Sequence, residues 1–231
     1  MPFFMKYLSS IVLLLTLTSV CAQRQNKVVH IAVTLGEQNV LPEKKIAIPQ
    51  TDDSVSISVL KFYLSNFSSS LSYKNNALFD KSSCLLDFHS IIKLNLHELP
   101  AAYDKLSFVL GVDSLTNTSG ALSGDLDPLN GMYWTWQSGY INFKIEGIIF
   151  HKDNSQQEFT CHLGGYRFPY DATQKVSLVS LKERDDYGLN LDLTEFLQEL
   201  MTKKNFHVMS PGKVAIELSA LLAHGFRFEA P

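Results

Sequence analysis

The sequence has little charge and no cluster of basic residues. Its 231 residues include 20 lysines and arginines against 23 aspartates and glutamates, which gives a formal net charge of −3. Proteins that bind nucleic acid concentrate lysine and arginine in a patch or stripe that neutralises phosphates. The composition therefore argues against nucleic acid as a partner.

Long hydrophobic runs are absent beyond the N-terminus. Lys6 precedes a short apolar stretch at residues 11–20, and the small residues Cys21 and Ala22 follow it. This pattern is typical of a secretory signal peptide, and the stretch is too short for a membrane span. We expect cleavage after Ala22 and a periplasmic or secreted protein; a lipoprotein signal ending at Cys21 is less favoured, because valine is a poor residue before a lipidated cysteine. Residues 23–231 are then long enough for one all-β domain.

Cysteine is scarce, and only Cys84 and Cys161 follow the predicted leader. Two cysteines do not make a disulfide scaffold, so the fold needs a hydrophobic core, and 45% of the residues are hydrophobic. In an oxidising compartment the two thiols could form one disulfide. A free, buried pair is the alternative.

Catalytic signatures are absent as well. The sequence contains no Gly-x-Ser-x-Gly elbow, no His-Glu-x-x-His zinc motif and no phosphate loop. Carboxylates are present, but no pattern places a pair of them across a cleft. We therefore predict that the protein is not an enzyme.

Short runs of alternating apolar and polar residues, separated by turn residues, dominate the sequence. Such alternation, with β-branched and aromatic residues, is typical of strands, and many strands in one chain favour two packed antiparallel sheets. A single helix is predicted after Asp192, which can cap it, with Glu195 three residues on and an apolar stripe behind. The fold prediction is an all-β antiparallel sandwich with one short helix in the C-terminal half. The predicted strands cover residues 29–35, 54–67, 84–89, 91–96, 105–112, 139–150, 157–165, 175–181 and 213–219.

A long polar loop over residues 113–131 offers oxygen donors for a hard cation. Loops of this length are usually functional or disordered. The full spacing of a calcium loop is missing, and turns at Asp127-Pro128 and Asn130-Gly131 account for most of these residues without an ion. Calcium stays open as an alternative. Its candidate ligands are Asp113, Asn117, Asp125, Asp127 and Asn130.

The segment after this loop holds both tryptophans of the chain, Trp134 and Trp136, with Met132 nearby. Strand alternation would put all three on one face. A hydrophobic core explains them, and so does a site for a soft metal, since imidazole and thioether donors suit copper; His89 and His162 are the imidazole candidates. An unmodified indole has no lone pair for a metal, so a tryptophan becomes a true ligand only after oxidation to kynurenine.

One further motif is His162-Leu163-Gly164-Gly165, and others lie at residues 59–66, 111–114, 117–120, 126–128, 130–136, 138–140 and 143–147. Together these motifs resemble the MbnP-like copper-binding family, whose His-x-Gly-Gly signature the first motif matches. The resemblance covers most of the mature chain and is densest between residues 106 and 167.

This resemblance implies an exported bacterial β-sandwich that holds Cu(I) through histidines. It also implies a kynurenine made from tryptophan by a dihaem cytochrome c peroxidase-like partner. On this basis we expect His162 as a copper ligand, His89 as a second ligand, and Trp134 or Trp136 as the modified residue. Two rival interpretations are a metal-free structural or interaction module on the cell surface and a module stabilised by calcium in the 113–131 loop.

Overall fold

The computed structural model describes residues 27–69, 83–89, 93–96, 103–136, 139–184 and 188–229. The predicted signal peptide and the first two residues of the strand expected at 91–96 lie outside these ranges. No helix in the described part of the chain has the length and apolar character needed to cross a bilayer.

Strands make up most of the described chain. The strands are β1 (Lys27–Leu35), β2 (Gln38–Asn39), β3 (Lys45–Ala47), β4 (Ser54–Ser69), β5 (Ser83–Asp87), β6 (Lys93–Leu96), β7 (Tyr103–Leu110), β8 (Tyr133–Trp134), β9 (Gly139–Phe150), β10 (Gln156–Gly164), β11 (Tyr166–Arg167), β12 (Tyr170–Asp171), β13 (Gln174–Arg184), β14 (Gly188–Asp192), β15 (His207–Val208) and β16 (Phe226–Phe228). The helices are α1 (Ser114–Thr118), α2 (Thr194–Lys203) and α3 (Lys213–His224), with 3-10 turns at Gly124–Leu126 and Pro128–Asn130.

Two sheets enclose the main hydrophobic core. The smaller sheet has the order β16-β14-β1-β2, with β6 also paired to β1; the larger has the order β13-β7-β4-β9-β10-β15, with β3 and β5 also paired to β4. Side chains from both sheets, such as Val33 of β1 and Phe62 of β4, belong to one buried cluster. The predicted β-sandwich class is confirmed, although β1–β14 and β10–β15 pair in parallel, so the sheets are mixed.

Strands β7 and β9 both pair with the long strand β4, one after the other along the same edge. Phe62 pairs with Leu86 of β5 and Phe143 of β9, and Leu64 pairs with β5 and with Leu110 of β7. A strand residue has one neighbour on each side, so β7 and β9 must both lie on the edge opposite β5. The chain between β7 and β9 therefore leaves the sheet and returns to the same edge, and residues 111–136 form an excursion that contains the tryptophan pair.

Helix α2 forms where the sequence predicts a helix. Asp192 Oδ1 accepts hydrogen bonds from the backbone N–H and the hydroxyl of Thr194, at 3.0 and 2.6 Å. Phe196, Leu197 and Leu200 are buried on its inner face. The apolar stripe thus acts as expected. Asp192 lies one residue before the N-cap, Leu193, and its carboxylate binds the first residue of the helix.

The strand predicted at residues 213–219 is wrong, because this segment begins helix α3. Ala215, Leu218, Ser219 and Leu222 are its buried residues, and their spacing is that of one helical face. The first seven residues alone also read as an alternating run. The helical period becomes clear only when the apolar run is followed to residue 224.

Candidate metal site beside the tryptophan pair

The two indoles are in contact but differ in exposure. Strand β8 pairs Trp134 with Gly139 and ends there, so Trp136 lies in the turn that follows. The ring centroids are 5.6 Å apart, and 6% of Trp134 but 63% of Trp136 is exposed. The predicted common face therefore holds only in part, because the strand is too short to carry Trp136 inward.

A second, smaller hydrophobic cluster lies under the excursion and includes Met132, Trp134 and Tyr140. Met132 is fully buried there, and its backbone carbonyl accepts a hydrogen bond from the N–H of Ile141 at 2.9 Å. The structure thus gives Met132 a packing role. Its part as a copper ligand stays a prediction.

Two tyrosine hydroxyls fix the excursion to the sheet. Tyr63 on β4 donates its hydroxyl hydrogen to the carbonyl of Asp125 at 2.8 Å. The hydroxyl of Tyr140 on β9 lies 2.9 Å from the carbonyl of Leu126 and accepts from the N–H of Leu122 at 3.0 Å. Burial raises the pKa of both phenols, so both remain protonated donors. The excursion is therefore a packed element with helical turns.

Three candidate calcium ligands of this excursion accept hydrogen bonds from backbone N–H groups. Asp113 caps α1 by accepting from the N–H of Thr116 at 3.0 Å, and Asp127 accepts from the N–H of Leu129 at 2.9 Å. Asn117 accepts from the N–H of Tyr140 at 2.9 Å.

The side chain of Asp125 serves a backbone group of another strand, since Oδ2 accepts from the N–H of Leu85 at 3.3 Å. Asn130 donates to the carbonyl of Gly124 at 2.9 Å. Across the described ranges, no three side chains of histidine, cysteine, aspartate and glutamate form a metal-holding group. Calcium binding by this loop stays a prediction, and the structure gives each of these residues another role.

His162 lies on the face of β10 that points away from the main core. Its strand neighbours Cys161 and Leu163 belong to the main core, so alternation turns the imidazole to the other face. The ring is nevertheless 8% exposed, and its Nε2 lies 2.8 Å from Oε1 of Glu146 on β9. The same oxygen lies 3.4 Å from Nζ of Lys144.

The carboxylate of Glu146 fixes the tautomer of His162. Burial raises the pKa of Glu146, but hydrogen bonds and charges from His162 and Lys144 outweigh it, so the pKa is lowered and the group is ionised. An ionised carboxylate only accepts hydrogen bonds, so the proton of a neutral His162 ring is on Nε2.

The remaining nitrogen of His162 therefore carries a lone pair. Burial lowers the pKa of His162, and the opposing effect of Glu146 only partly offsets it, so the ring is neutral at neutral pH. No hydrogen bond joins Nδ1 to any residue that the structure describes. A histidine whose other N–H is held by a carboxylate is the usual form of a metal-ligating histidine.

Trp134 and His162 share one face of β10. A Cβ at Gly164 would lie 2.7 Å from the six-membered ring of Trp134, so this ring lies directly on the glycine backbone. Gly164 follows His162 by two residues, so alternation along β10 places both positions on this face about 7 Å apart. The partner strand β9 carries the extra residue where the register shifts between Leu163 and Gly164. The glycine thus makes room for an indole on this face of the strand.

His89 does not join His162 in this structure. Its Nε2 lies 2.7 Å from the carbonyl oxygen of Ser58. The preceding residue, Phe88, donates its backbone N–H to the carbonyl of Leu60 at 3.0 Å, so this segment lies on the same side of β4 as β5. Strand β9 lies between β4 and β10. Neighbouring strands are about 4.8 Å apart, so the two imidazoles lie roughly 10–14 Å from each other across the sheet. One ion cannot bind both rings in this arrangement.

Cys84 and Cys161 form no disulfide with each other in this structure, which agrees with the alternative of two thiols. Cys84 lies on β5 and Cys161 on β10, and β4 and β9 separate the two strands. Three strand spacings amount to about 14 Å, whereas a disulfide needs Cα atoms within about 7 Å. Burial raises the pKa of the Cys161 thiol to about 12, so it remains a protonated core residue.

Sequence reasoning did not single out Glu146 or Lys144 as site residues. Both point to the outer face of β9, and Lys144 lies directly opposite His162 in the strand register. The available signal was their alternation with Phe143 and Ile145, which puts two charged side chains on one face. The pairing of β9 with β10 was needed to bring them to the histidine.

Fold and site together define a β-sandwich protein with a histidine–carboxylate pair on the strand face that also holds a buried indole. The chain belongs to the MbnP family, whose model matches residues 24–212. Among solved structures it is similar to MbnP from Methylosinus trichosporium, with 17% sequence identity, 76% of this chain and 78% of that chain covered, and a TM-score of 0.48. None of the curated proteins matches the chain.

Proposed function

We propose that the protein is an exported, non-catalytic Cu(I)-binding protein in which Nδ1 of His162 is a copper ligand. The observation that carries this proposal is the 2.8 Å contact between Nε2 of His162 and Glu146, which leaves Nδ1 as the unprotonated nitrogen. Membership of the MbnP family, with the copper chemistry that the resemblance implies, supports the choice of metal. Neutral imidazole is a good donor for copper, and copper would here serve as bound cargo or as a fixed centre.

The indole of Trp134, which lies on the same face of β10, is our candidate to complete such a centre. It lies on Gly164, and its own π face is only a weak donor. Oxidation to kynurenine opens the pyrrole ring: C2 leaves as formate, the ketone takes up one oxygen, and a free aryl amine results. This is a four-electron oxidation, and we assign it to a dihaem peroxidase-like partner that reduces two equivalents of hydrogen peroxide, so that kynurenine, formic acid and one water result. Trp136, exposed and in ring contact with Trp134, lies on the outer side where a partner would approach.

Copper retention tests the proposal. The purified protein, loaded anaerobically with Cu(I) and desalted, is expected to keep about one copper per chain, as measured by elemental analysis. His162→Gln is expected to lose this copper while circular dichroism shows a folded protein. The matched control is His151→Gln, because His151 is also paired with a carboxylate, that of Asp53 at 2.9 Å, but at the far end of β9. Equal copper retention by the His162 variant and the wild type would refute the assignment.

Mass spectrometry of protein isolated from its native host tests the modification. The peptide that contains Trp134 is expected to be heavier by roughly 4 Da, the change from tryptophan to kynurenine. An unmodified peptide in a copper-loaded protein would limit the proposal to His162 and exclude the oxidised ligand.

A metal-free structural module is the second candidate, because the network of His162, Glu146 and Lys144 is partly buried and would also stabilise the sheet. Under this function His162→Gln lowers the melting temperature, and neither wild type nor variant retains copper. The same pair of measurements therefore separates the two candidates.

A further inference from the structure

A pocket of about 110 Å³ opens on the side of Trp134 where strands β11 and β12 form a hairpin. Five aromatic side chains line it: Trp134, Tyr140, Tyr166, Phe168 and Tyr170. His162 is not in its lining, so the pocket is separate from the proposed copper ligand and shares only the indole with it.

Buried tyrosine rings form the floor of this pocket. Tyr140 and Tyr166 are 1% and 8% exposed. A Cβ at Gly139 would lie 3.0 Å from the ring of Tyr166, so this ring packs on bare backbone as Trp134 does on Gly164. Aromatic walls favour a flat ring as the ligand. Stacked and edge-to-face contacts between rings stabilise a bound ring by more than the burial of its apolar surface alone.

The size of the pocket limits the ligand to one ring. A closed cavity of about 150 Å³ holds benzene, so about 110 Å³ accommodates one ring only with its edge at the open mouth. Phe168, which is 97% exposed, lies at the pocket and would be covered by such a ligand. A fused polycyclic ring system is too large for this space.

Arg167 places a positive charge at the pocket. The guanidinium of Arg167 lies 5.0 Å from the ring centre of Tyr166 and forms no ion pair with any carboxylate that the structure describes. A guanidinium presents paired N–H donors that match the two oxygens of a carboxylate. An anionic group on the outward edge of the ring would thus meet an unpaired cation.

We propose that this pocket binds a single-ring aromatic carboxylate, with the ring between the aromatic walls and the carboxylate toward Arg167. The chemistry fits a free aromatic acid and equally a C-terminal aromatic residue of a polypeptide. The proposal goes beyond copper binding and requires no metal in the protein.

Fluorescence titration of the metal-free protein tests the proposal. Trp136→Phe leaves Trp134 as the only indole, and benzoate is the probe. Benzoate is expected to change the Trp134 emission saturably with a millimolar dissociation constant, a value suited to nine heavy atoms. Benzyl alcohol is expected to bind about tenfold more weakly, and benzylamine not at all.

Variants of the pocket separate the ring from the charge. Arg167→Gln is expected to weaken benzoate binding about tenfold and leave benzyl alcohol unchanged, and Phe168→Ala is expected to weaken both. Lys175→Gln, which removes a positive charge from exposed β13 outside the pocket, is the matched control and is expected to have no effect. A tripeptide that ends in phenylalanine distinguishes a polypeptide end from a free acid, and its amide is expected to bind no better than benzyl alcohol.

Two results would overturn the proposal: no saturable response to benzoate up to about fifty times the expected constant, or equal binding of benzoate by Arg167→Gln and by the parent protein. Copper retention measured on the same variants is expected to be unchanged. Failure of the pocket and failure of the copper site are therefore seen in different assays.

Discussion

Glu146→Leu removes the acceptor for the Nε2–H of His162 while it keeps a side chain of similar size on β9. In the parent protein that acceptor lies 2.8 Å away and fixes which nitrogen of the ring carries the proton. Without it the ring is free to exchange tautomers or rotate, and the lone pair of Nδ1 no longer points in one direction. Loss of such a carboxylate behind a ligating histidine typically lowers metal affinity about 10–100-fold.

Glu146→Gln should fall between the parent and the leucine variant. Its amide carbonyl can still accept from Nε2–H, but the negative charge is lost, so we expect the decrease in affinity near the lower end, about tenfold. The leucine variant should also lose stability, because an unpaired N–H costs about 1–3 kcal/mol and partial exposure of the pair reduces this cost.

Nitrogen NMR of His162 in the metal-free protein measures the effect on the ring directly. The parent is expected to show the Nε2–H tautomer, and the leucine variant a mixture. Because the charge and hydrogen bond of Glu146 raise the pKa of His162 against the effect of burial, their removal should lower that pKa further. Asp53→Leu, which breaks the corresponding pair with His151, should leave both the His162 tautomer and copper affinity unchanged.

Two outcomes would refute this reasoning. One is a leucine variant that binds Cu(I) as tightly as the parent and keeps the same tautomer. The other is a rise of the His162 pKa on loss of Glu146, which would mean that the carboxylate does not act on the ring.

Three further predictions concern stability. Gly164→Ala brings a Cβ to 2.7 Å from the Trp134 ring and is expected to cost about 1–3 kcal/mol in chemical denaturation with a shift of indole emission, whereas Gly212→Ala, with open space at its Cβ, should cost far less. Burial raises the pKa of Asp192, but hydrogen bonds from the start of α2 and from an arginine outweigh it, so the folded pKa lies below its usual 3.8. The ionised carboxylate therefore stabilises the fold above about pH 3.8, and this stabilisation is lost as the pH falls through the folded pKa. Asp192→Asn should make the free energy of unfolding depend less on pH in the acid range. An unchanged pH dependence would contradict the lowered pKa of Asp192. Leu222→Ala should cost about 2–5 kcal/mol by thermal or chemical denaturation, because the side chain is fully buried on the inner face of α3; a cost below about 1 kcal/mol would mean that this face is not packed.

Local patterns predicted the elements whose signal lies within a few residues. The alternation in residues 139–150 matches β9, and Asp192, the predicted cap, lies two residues before the first residue of α2. The wrong strand prediction at α3 also came from a short-range pattern. Seven residues fit both the strand period and the helical period, whereas the run to residue 224 fits only the helical period. The sequence motifs also pointed to His162 and the tryptophan pair, because those side chains are distinctive wherever they occur.

The amino-acid sequence by itself determined the β-sandwich class, the apolar and polar faces of its strands, and the residue types available to the site. Tertiary structure alone decided which of them meet: Glu146 reaches His162 across the β9–β10 pairing, Gly164 receives the ring of Trp134, and β4 with β9 keeps Cys84 from Cys161. The physical reason is that periodicity is a short-range property of the chain. Strand order and register are fixed by long-range packing, in which side chains far apart in sequence compete for the same core.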